Sequence, residues 1–297
     1  MDDVSLARLR VTLGLGAAPI SRFPGGSVPV YAVGEDLVLK LFPAEDAGEA
    51  RVEATVLAAL EGRLSIPTPA FVGAGEAEGW HYVLMRRLSG EPLSQAWSRL
   101  STSERAELAE RIGVALAELH AVTDPSLATL EPLDWRAFVR ERRDVVVAEQ
   151  RERGLGDEWL ARIPGFLDEV ELGSGEPVLL HTEVMREHVL LREGTATPSG
   201  LFDFEPAMPG APEYDFVAVA VYLAGGGEEG ASFMRTLLRA YGYAPSDVDE
   251  RFARRCLAYT LLHRYGNLRA YLDWMPAPPE PTLDSLAVTW FAPFTRS

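Results

Sequence analysis

His181-Thr-Glu-Val-Met-Arg-Glu-His188, followed fifteen residues later by Asp203 in Leu201-Phe-Asp-Phe204, is the stretch whose reading decides the fold. The apolar runs Val178-Leu-Leu-His181, Val189-Leu-Leu191 and Leu201–Phe204 predict three short strands joined by polar loops. Loops anchored by short buried strands are where a rigid scaffold presents its chemistry. A carboxylate set between Phe202 and Phe204 in an apolar strand is costly to bury without a partner, and a divalent cation would satisfy it.

Upstream, one residue stands out by its rarity. The chain has 28 basic residues, and 27 of them are arginine; the single lysine, Lys40, lies in the apolar run Leu37-Val-Leu-Lys-Leu-Phe42. Lysine is a compact point charge on a flexible stem, whereas arginine is a wide planar fork. A narrow cleft that must bring positive charge up to phosphate oxygens favours the compact head, although a lysine that merely snorkels from a strand is an equal reading of Lys40 by itself.

Composition bounds the possibilities. The 297 residues, 47% of them hydrophobic, can bury one large core or two smaller ones. The acidic opening lacks a basic, apolar leader, and the longest apolar stretch, Phe216 to Ala224, falls far short of the roughly 20 residues of a membrane span. The expectation is a cytoplasmic protein with no membrane partner. A lone cysteine, Cys256, excludes an intrachain disulfide and a cysteine zinc cage. The formal net charge of −16 argues against nucleic acid, which needs a basic stripe, and suits a small cationic partner.

The texture changes near residue 90. Before it, short strand-like runs (Val28 to Val33, Leu37 to Phe42, Tyr82 to Met85) are interrupted by one helix, Glu49 to Leu60. After it the chain reads mostly helical, beginning with the capping box Ser101-x-x-Glu104. Later helices are predicted over Glu213 to Ala224, Gly230 to Tyr241 and Ser246 to Met275, with an irregular proline-rich tail beyond Pro276. The change of texture divides the chain into a strand-bearing N-terminal unit, residues 1–88, and a mostly helical unit, residues 89–297.

Together these pieces are the parts of a kinase-type phosphoryl-transfer site. The chain resembles the aminoglycoside phosphotransferase and choline kinase superfamily over about residues 20 to 270. Its His-Gly-Asp loop, with Asn five residues after the Asp, stands here as His181-Thr182-Glu183 and His188. The metal segment Ile-Asp-Phe and the following Gly-Asp-Pro stand as Phe202-Asp203-Phe204 and Gly210-Ala211-Pro212. The resemblance implies an α+β, protein-kinase-like two-lobed fold, with a small antiparallel sheet lobe and one main helix before a larger helical lobe. It implies transfer of the γ-phosphoryl of ATP or GTP, with Mg2+, to a hydroxyl of an aminoglycoside or related antibiotic. A metabolite kinase for an amino alcohol or sugar is the alternative acceptor reading.

The residue roles follow from the same resemblance. Gly25, Gly26 and Ser27 would fold over the phosphates, Lys40 would hold them and pair with Glu53 (Glu49 being the second choice), and Met85 would line the nucleotide site. Asp203 and His188 would hold the metal, histidine also standing at this position in some antibiotic-kinase branches. His181 would orient the loop, and Arg186 would reach the γ-phosphate or remain solvated. Glu205, Glu213 and Asp273 would meet ammonium groups, and Tyr265 and Trp274 would stack on a sugar or fill the core. Glu183 takes the place of the catalytic aspartate, and its extra methylene displaces the carboxylate by roughly 1.5 Å on a fixed backbone. Three readings stay open: a kinase using Glu183, an enzyme with weakened or redirected transfer, and a nucleotide-binding pseudokinase.

Overall fold

The computed structural model describes residues 3–172 and 175–291, so the first two residues of the acidic opening and residues 292–297 of the tail lie outside the described residues. After helix α1 (Asp3–Thr12) come strands β1 (Ile20–Arg22), β2 (Val30–Val33) and β3 (Leu37–Phe42), helix α2 (Ala47–Leu60), and strands β4 (Phe71–Ala77) and β5 (Trp80–Arg86). These five strands form one antiparallel sheet in the order β1-β2-β3-β5-β4. Lys40 sits on the central strand, opposite Val30 on one side and Val83 on the other. Strand β2 begins at Val30, two residues later than the sequence suggests, after Val28 and Pro29.

The rest is mainly helical. A short strand β6 (Glu91–Pro92) leads into α3 (Leu93–Ala96), α4 (Thr102–His120), α5 (Trp135–Glu152), α6 (Asp157–Leu160) and α7 (Ile163–Glu169). The expected capping box is present with both halves made at the start of α4. Strands β7 (Val178–Leu180), β8 (Val189–Leu191), β9 (Pro198–Leu201) and β10 (Met208–Gly210) follow, then α8 (Pro212–Ala218) with a π-helical turn over Val219–Ala224, α9 (Gly227–Tyr241), α10 (Glu250–Leu262), α11 (Leu268–Trp274) and α12 (Leu283–Phe291). Asp203 lies beyond the end of β9 and in the left-handed region, at φ +74, rather than inside a strand as the apolar flanks suggest.

Two further departures have physical causes. The helix predicted from Ser246 to Met275 breaks at His263 to Asn267. A Cβ on Gly266 would come within 2.5 Å of the Thr260 carbonyl oxygen, so the chain turns there only without a side chain. The break is clamped from α5: the buried Gln150 donates Nε2–H to the Gly266 carbonyl (2.8 Å) and accepts the Leu268 amide on Oε1 (3.0 Å). Asn267 then caps the next helix by accepting the Ala270 amide at 3.0 Å. Beyond the prolines, Leu283, Leu286, Ala287 and Trp290 form a buried stripe on α12, against the expected irregular tail. Among the described residues no helix is long and apolar enough to cross a membrane.

Gln150→Leu should therefore lower stability by about 1–3 kcal/mol, because it strands the buried Leu268 amide and leaves the Gly266 carbonyl to Arg153 alone. Urea denaturation followed by circular dichroism measures this, and a change under about 0.5 kcal/mol, the range of a neutral surface substitution, would show that the clamp is dispensable.

Candidate active site

Two small sheets fix the loops. β7 pairs with β10 so that Leu180 faces Met208, and β8 pairs with β9 so that Val189 faces Leu201. The loop 181–188 and the segment 202–207 thus run between the same two strand pairs. The Phe202 amide donates to the His188 carbonyl at 3.1 Å, and the Thr182 hydroxyl donates to the Pro206 carbonyl at 3.3 Å.

Asp215, wholly buried on α8, ties the loop down. Its carboxylate accepts the backbone amides of His181 (3.0 Å) and Thr182 (2.6 Å) and lies 3.0 Å from His120 Nε2 at the end of α4. Burial opposes its charge, but His120 and the amides outweigh burial and lower its pKa. Thr182 is held at φ +71, a left-handed conformation rare for a β-branched residue. Its carbonyl also accepts from Nε2 of the buried His263 at 3.1 Å. Burial lowers His181 and His263 to about 4, so both are neutral at pH 7. The Glu183 amide donates to His181 Nδ1 (3.3 Å), which places the ring proton on Nε2 for donation to the Phe202 carbonyl at 3.0 Å.

At the sheet side of the cleft, Lys40 is 5% exposed and meets three carboxylates. Its Nζ lies 3.1 Å from Glu53 on α2 and 2.5 Å from Glu205 Oε2, and it also donates to Asp203 Oδ1. Glu53, not Glu49, makes the ion pair. Burial would lower the lysine pKa, yet Glu53, Asp203 and Glu205 together raise it, so the ammonium stays charged. Ser27 donates to Glu205 Oε1 at 3.4 Å, closing the turn in which Gly25 and Gly26 adopt φ +82 and +91. Met85 lies near the end of β5 with its side chain buried in the core.

Beside this cluster, Glu183, His188 and Asp203 each bring one ligand atom within 4.8 Å of the others. His188 Nδ1 lies 2.9 Å from the Glu183 carbonyl, which can only accept, so Nδ1 carries a proton. In the neutral ring, Nε2 then turns a lone pair toward Asp203 Oδ2 at 3.1 Å. Acceptor facing acceptor at this distance requires a cation between them, a proton on His188 or a metal ion. The donor set fits a divalent cation. Burial raises the Glu183 pKa, with Asp203 and Glu205 adding repulsion against the opposing pull of His188.

The phosphotransferase enzyme family model matches residues 19–256. The chain belongs to that family. No curated protein sequence matches it significantly. Among solved structures, the GDP complex of wild-type aminoglycoside 2'-phosphotransferase-IIIa is similar at 17% identity and TM-score 0.71, over 98% of this chain and 97% of that one. The streptomycin-ATP-APH(2")-IIa ternary complex has 18% identity and TM-score 0.65 over 92% and 95%. Aminoglycoside-3'-phosphotransferase of type VIII has 22% identity and TM-score 0.63 over 88% and 98%. The α+β, kinase-like architecture with a five-stranded antiparallel sheet ahead of a helical part is therefore the phosphotransferase fold.

In this phosphotransferase, several residues expected at the site stand elsewhere. Arg186 donates Nε–H to the Leu223 carbonyl (2.7 Å) and lies 4.0 Å over the Trp97 ring, commitments that take it out of the proposed contact with phosphate. Glu213 is buried against Arg255 Nε at 3.0 Å and does not wait for an ammonium group, while Asp273 makes a solvent-exposed pair with Arg269 on α11. Glu205 faces Lys40 and Ser27 instead of an open acceptor pocket. Trp274 and Tyr265 remain 56% and 47% exposed, and Trp274 contacts Tyr222 and Tyr271. The helix break at Gly266 also brings His263 to the Thr182 carbonyl and Arg264 to the Pro206 carbonyl, a placement that a lone glycine in a helical pattern does not announce.

Acid should loosen this site. A histidine with an unfolded value near 6.5 and a folded value near 4 takes up its proton more readily when unfolded, so its contribution is full above pH 6.5 and is lost as pH falls toward 4. The thermal midpoint is expected to fall between pH 6.5 and 4.5, and His263→Gln is expected to shallow that slope. An unchanged slope in the variant would mean that His263 is not held neutral.

Proposed function

We propose that the protein is a small-molecule kinase that transfers the γ-phosphoryl of ATP or GTP to a hydroxyl, with an aminoglycoside or related antibiotic as acceptor. The observation that carries the reading is the Lys40–Glu53 pair joined to Asp203, with Glu183 and His188 at the same carboxylate. Lys40 is the phosphate-binding cation, held by Glu53, and incoming phosphate oxygens take the positions now filled by Glu205 and Asp203. Gly25, Gly26 and Ser27 form the turn over the phosphates. Asp203 and His188 would hold Mg2+, which when bound supplies charge neutralisation at the phosphates, and Glu183 beside them is left to the acceptor hydroxyl.

Glu183 accepts the acceptor hydroxyl's proton. Its raised pKa makes it a better base than a solvated carboxylate, and it remains ionised where the pH exceeds that pKa. His181, neutral and fixed as the Nε2–H tautomer, holds the Glu183 amide and the Phe202 carbonyl in register. Asp215 and His263 lock the backbone immediately before Glu183.

The acceptor's chemistry rests on two arguments that point in different directions. Family membership and the aminoglycoside-binding neighbours support an antibiotic acceptor. The buried pairing of Glu213 with Arg255 supports the second reading, an acceptor with fewer ammonium groups, such as an amino alcohol or a sugar. Magnesium-dependent transfer tested against aminoglycosides, hygromycin-like compounds, macrolides and simple amino alcohols separates the two. Tight nucleotide binding with no turnover across the panel would leave the pseudokinase reading instead.

Because the backbone at Thr182 is fixed on both sides, the loop is built around the longer carboxylate. Glu183→Asp should retract it by roughly 1.5 Å and cost about 100-fold in kcat, with the nucleotide KM little changed. A rise in kcat would contradict this fit. Asp203→Asn should abolish the strengthening of nucleotide binding by magnesium, read by titration calorimetry with and without the metal; an undiminished magnesium effect would place the metal elsewhere.

A further inference from the structure

Phosphoryl transfer spreads negative charge over three equatorial oxygens, and a cation aimed at them is worth large factors in rate. Lys40 is shared among three carboxylates on the sheet side, and Arg186 is committed to Leu223 and Trp97. We propose that Arg264, from the break between α10 and α11, is the catalytic residue that grips the transferred phosphoryl group. This rests on the kinase reading above.

Its placement is tied to both chemical segments. The preceding residue, His263, donates to the carbonyl of Thr182, next to Glu183. Arg264 Nη2 donates to the Pro206 carbonyl, next to Glu205, and that same carbonyl accepts the Thr182 hydroxyl. The Arg264 amide donates to the Tyr214 hydroxyl at 2.8 Å, and its carbonyl accepts from Arg153 at 3.2 Å, so the backbone carrying it is anchored twice more.

The guanidinium has unused capacity. It offers five N–H donors, and Nε is buried without a hydrogen-bond partner among the described residues. None of the described carboxylates lies within ion-pair distance of it, although the chain carries 44 acidic residues. A buried, unmet donor is costly, and an arriving anionic oxygen would offset that cost.

In the step proposed, the bond between the γ-phosphorus and the β–γ bridging oxygen breaks, and its electron pair leaves with the nucleoside diphosphate. The acceptor hydroxyl oxygen forms the new phosphorus–oxygen bond, and its proton passes to Glu183. Arg264 donates N–H bonds to the equatorial oxygens as their charge grows.

The test compares binding of ADP with Mg2+ and binding of ADP, Mg2+ and aluminium fluoride, a mimic of the transferring group, with GDP run in parallel. The unaltered protein should bind the fluoride complex at least about 100-fold more tightly. Arg264→Gln should erase that ratio while leaving the affinity for ADP with Mg2+ unchanged, and Arg264→Lys should restore part of it. An undiminished ratio in Arg264→Gln overturns the inference and leaves the kinase reading intact. A parallel fall in thermal midpoint and ADP affinity also overturns it, since Arg264 would then be only a clamp on Pro206. Failure of the unaltered protein to bind either nucleotide with Mg2+ sinks the kinase reading itself.

Discussion

The candidate site depends on one buried carboxylate that touches no reactant in the proposed mechanism. Asp215 gathers two consecutive backbone amides and a histidine ring around its two oxygens, at full burial. An ionised group there is tolerable only because its partners are fixed dipoles and an imidazole, and together they hold the carboxylate ionised. The arrangement works in both directions. The amides keep the carboxylate charged, and the carboxylate keeps Thr182 at a backbone angle its side chain disfavours. Everything that follows Thr182, beginning with Glu183, takes its position from that compromise.

A second constraint comes from Lys40. One ammonium group surrounded by Glu53, Asp203 and Glu205 carries more negative than positive charge around it, in a region nearly closed to water. Buried ion clusters of this kind give little net stability, and removing one partner leaves the others uncompensated. The arrangement is better understood as a site held ready for exchange, in which carboxylates stand where phosphate oxygens are proposed to go. The same excess of negative charge explains why a divalent cation suits the neighbouring Glu183, His188 and Asp203.

Much of this was legible in the sequence because its signals are local. The apolar run around Lys40, the helical pattern from Glu49 to Leu60 and the capping box at Ser101 each specify one element from adjacent residues. The short strands on either side of the 181–188 loop announced themselves as apolar runs between polar loops. What could not be read depends on distant partners. Glu213 looks available until Arg255 is placed beside it. Gly266 looks tolerable in a helix until the Thr260 carbonyl is seen to lie where a Cβ would go, and the clamp that stabilises the break comes from Gln150, more than a hundred residues earlier. Asp203 looked like a strand residue because its neighbours are aromatic, yet its backbone angle carries it out of the strand and toward Lys40 and His188.

The solitary lysine has a practical consequence. A chain with one lysine has one side-chain ammonium, so growth on nitrogen-15 lysine would place a single side-chain reporter in the whole molecule. That reporter sits where three carboxylates from two distant parts of the chain, α2 and the segment after β9, converge. Its chemical shift would register any rearrangement of α2, of the segment after β9 or of the glycine turn, without assignment of any other resonance. The paucity of lysine elsewhere makes the centre of the cleft directly observable.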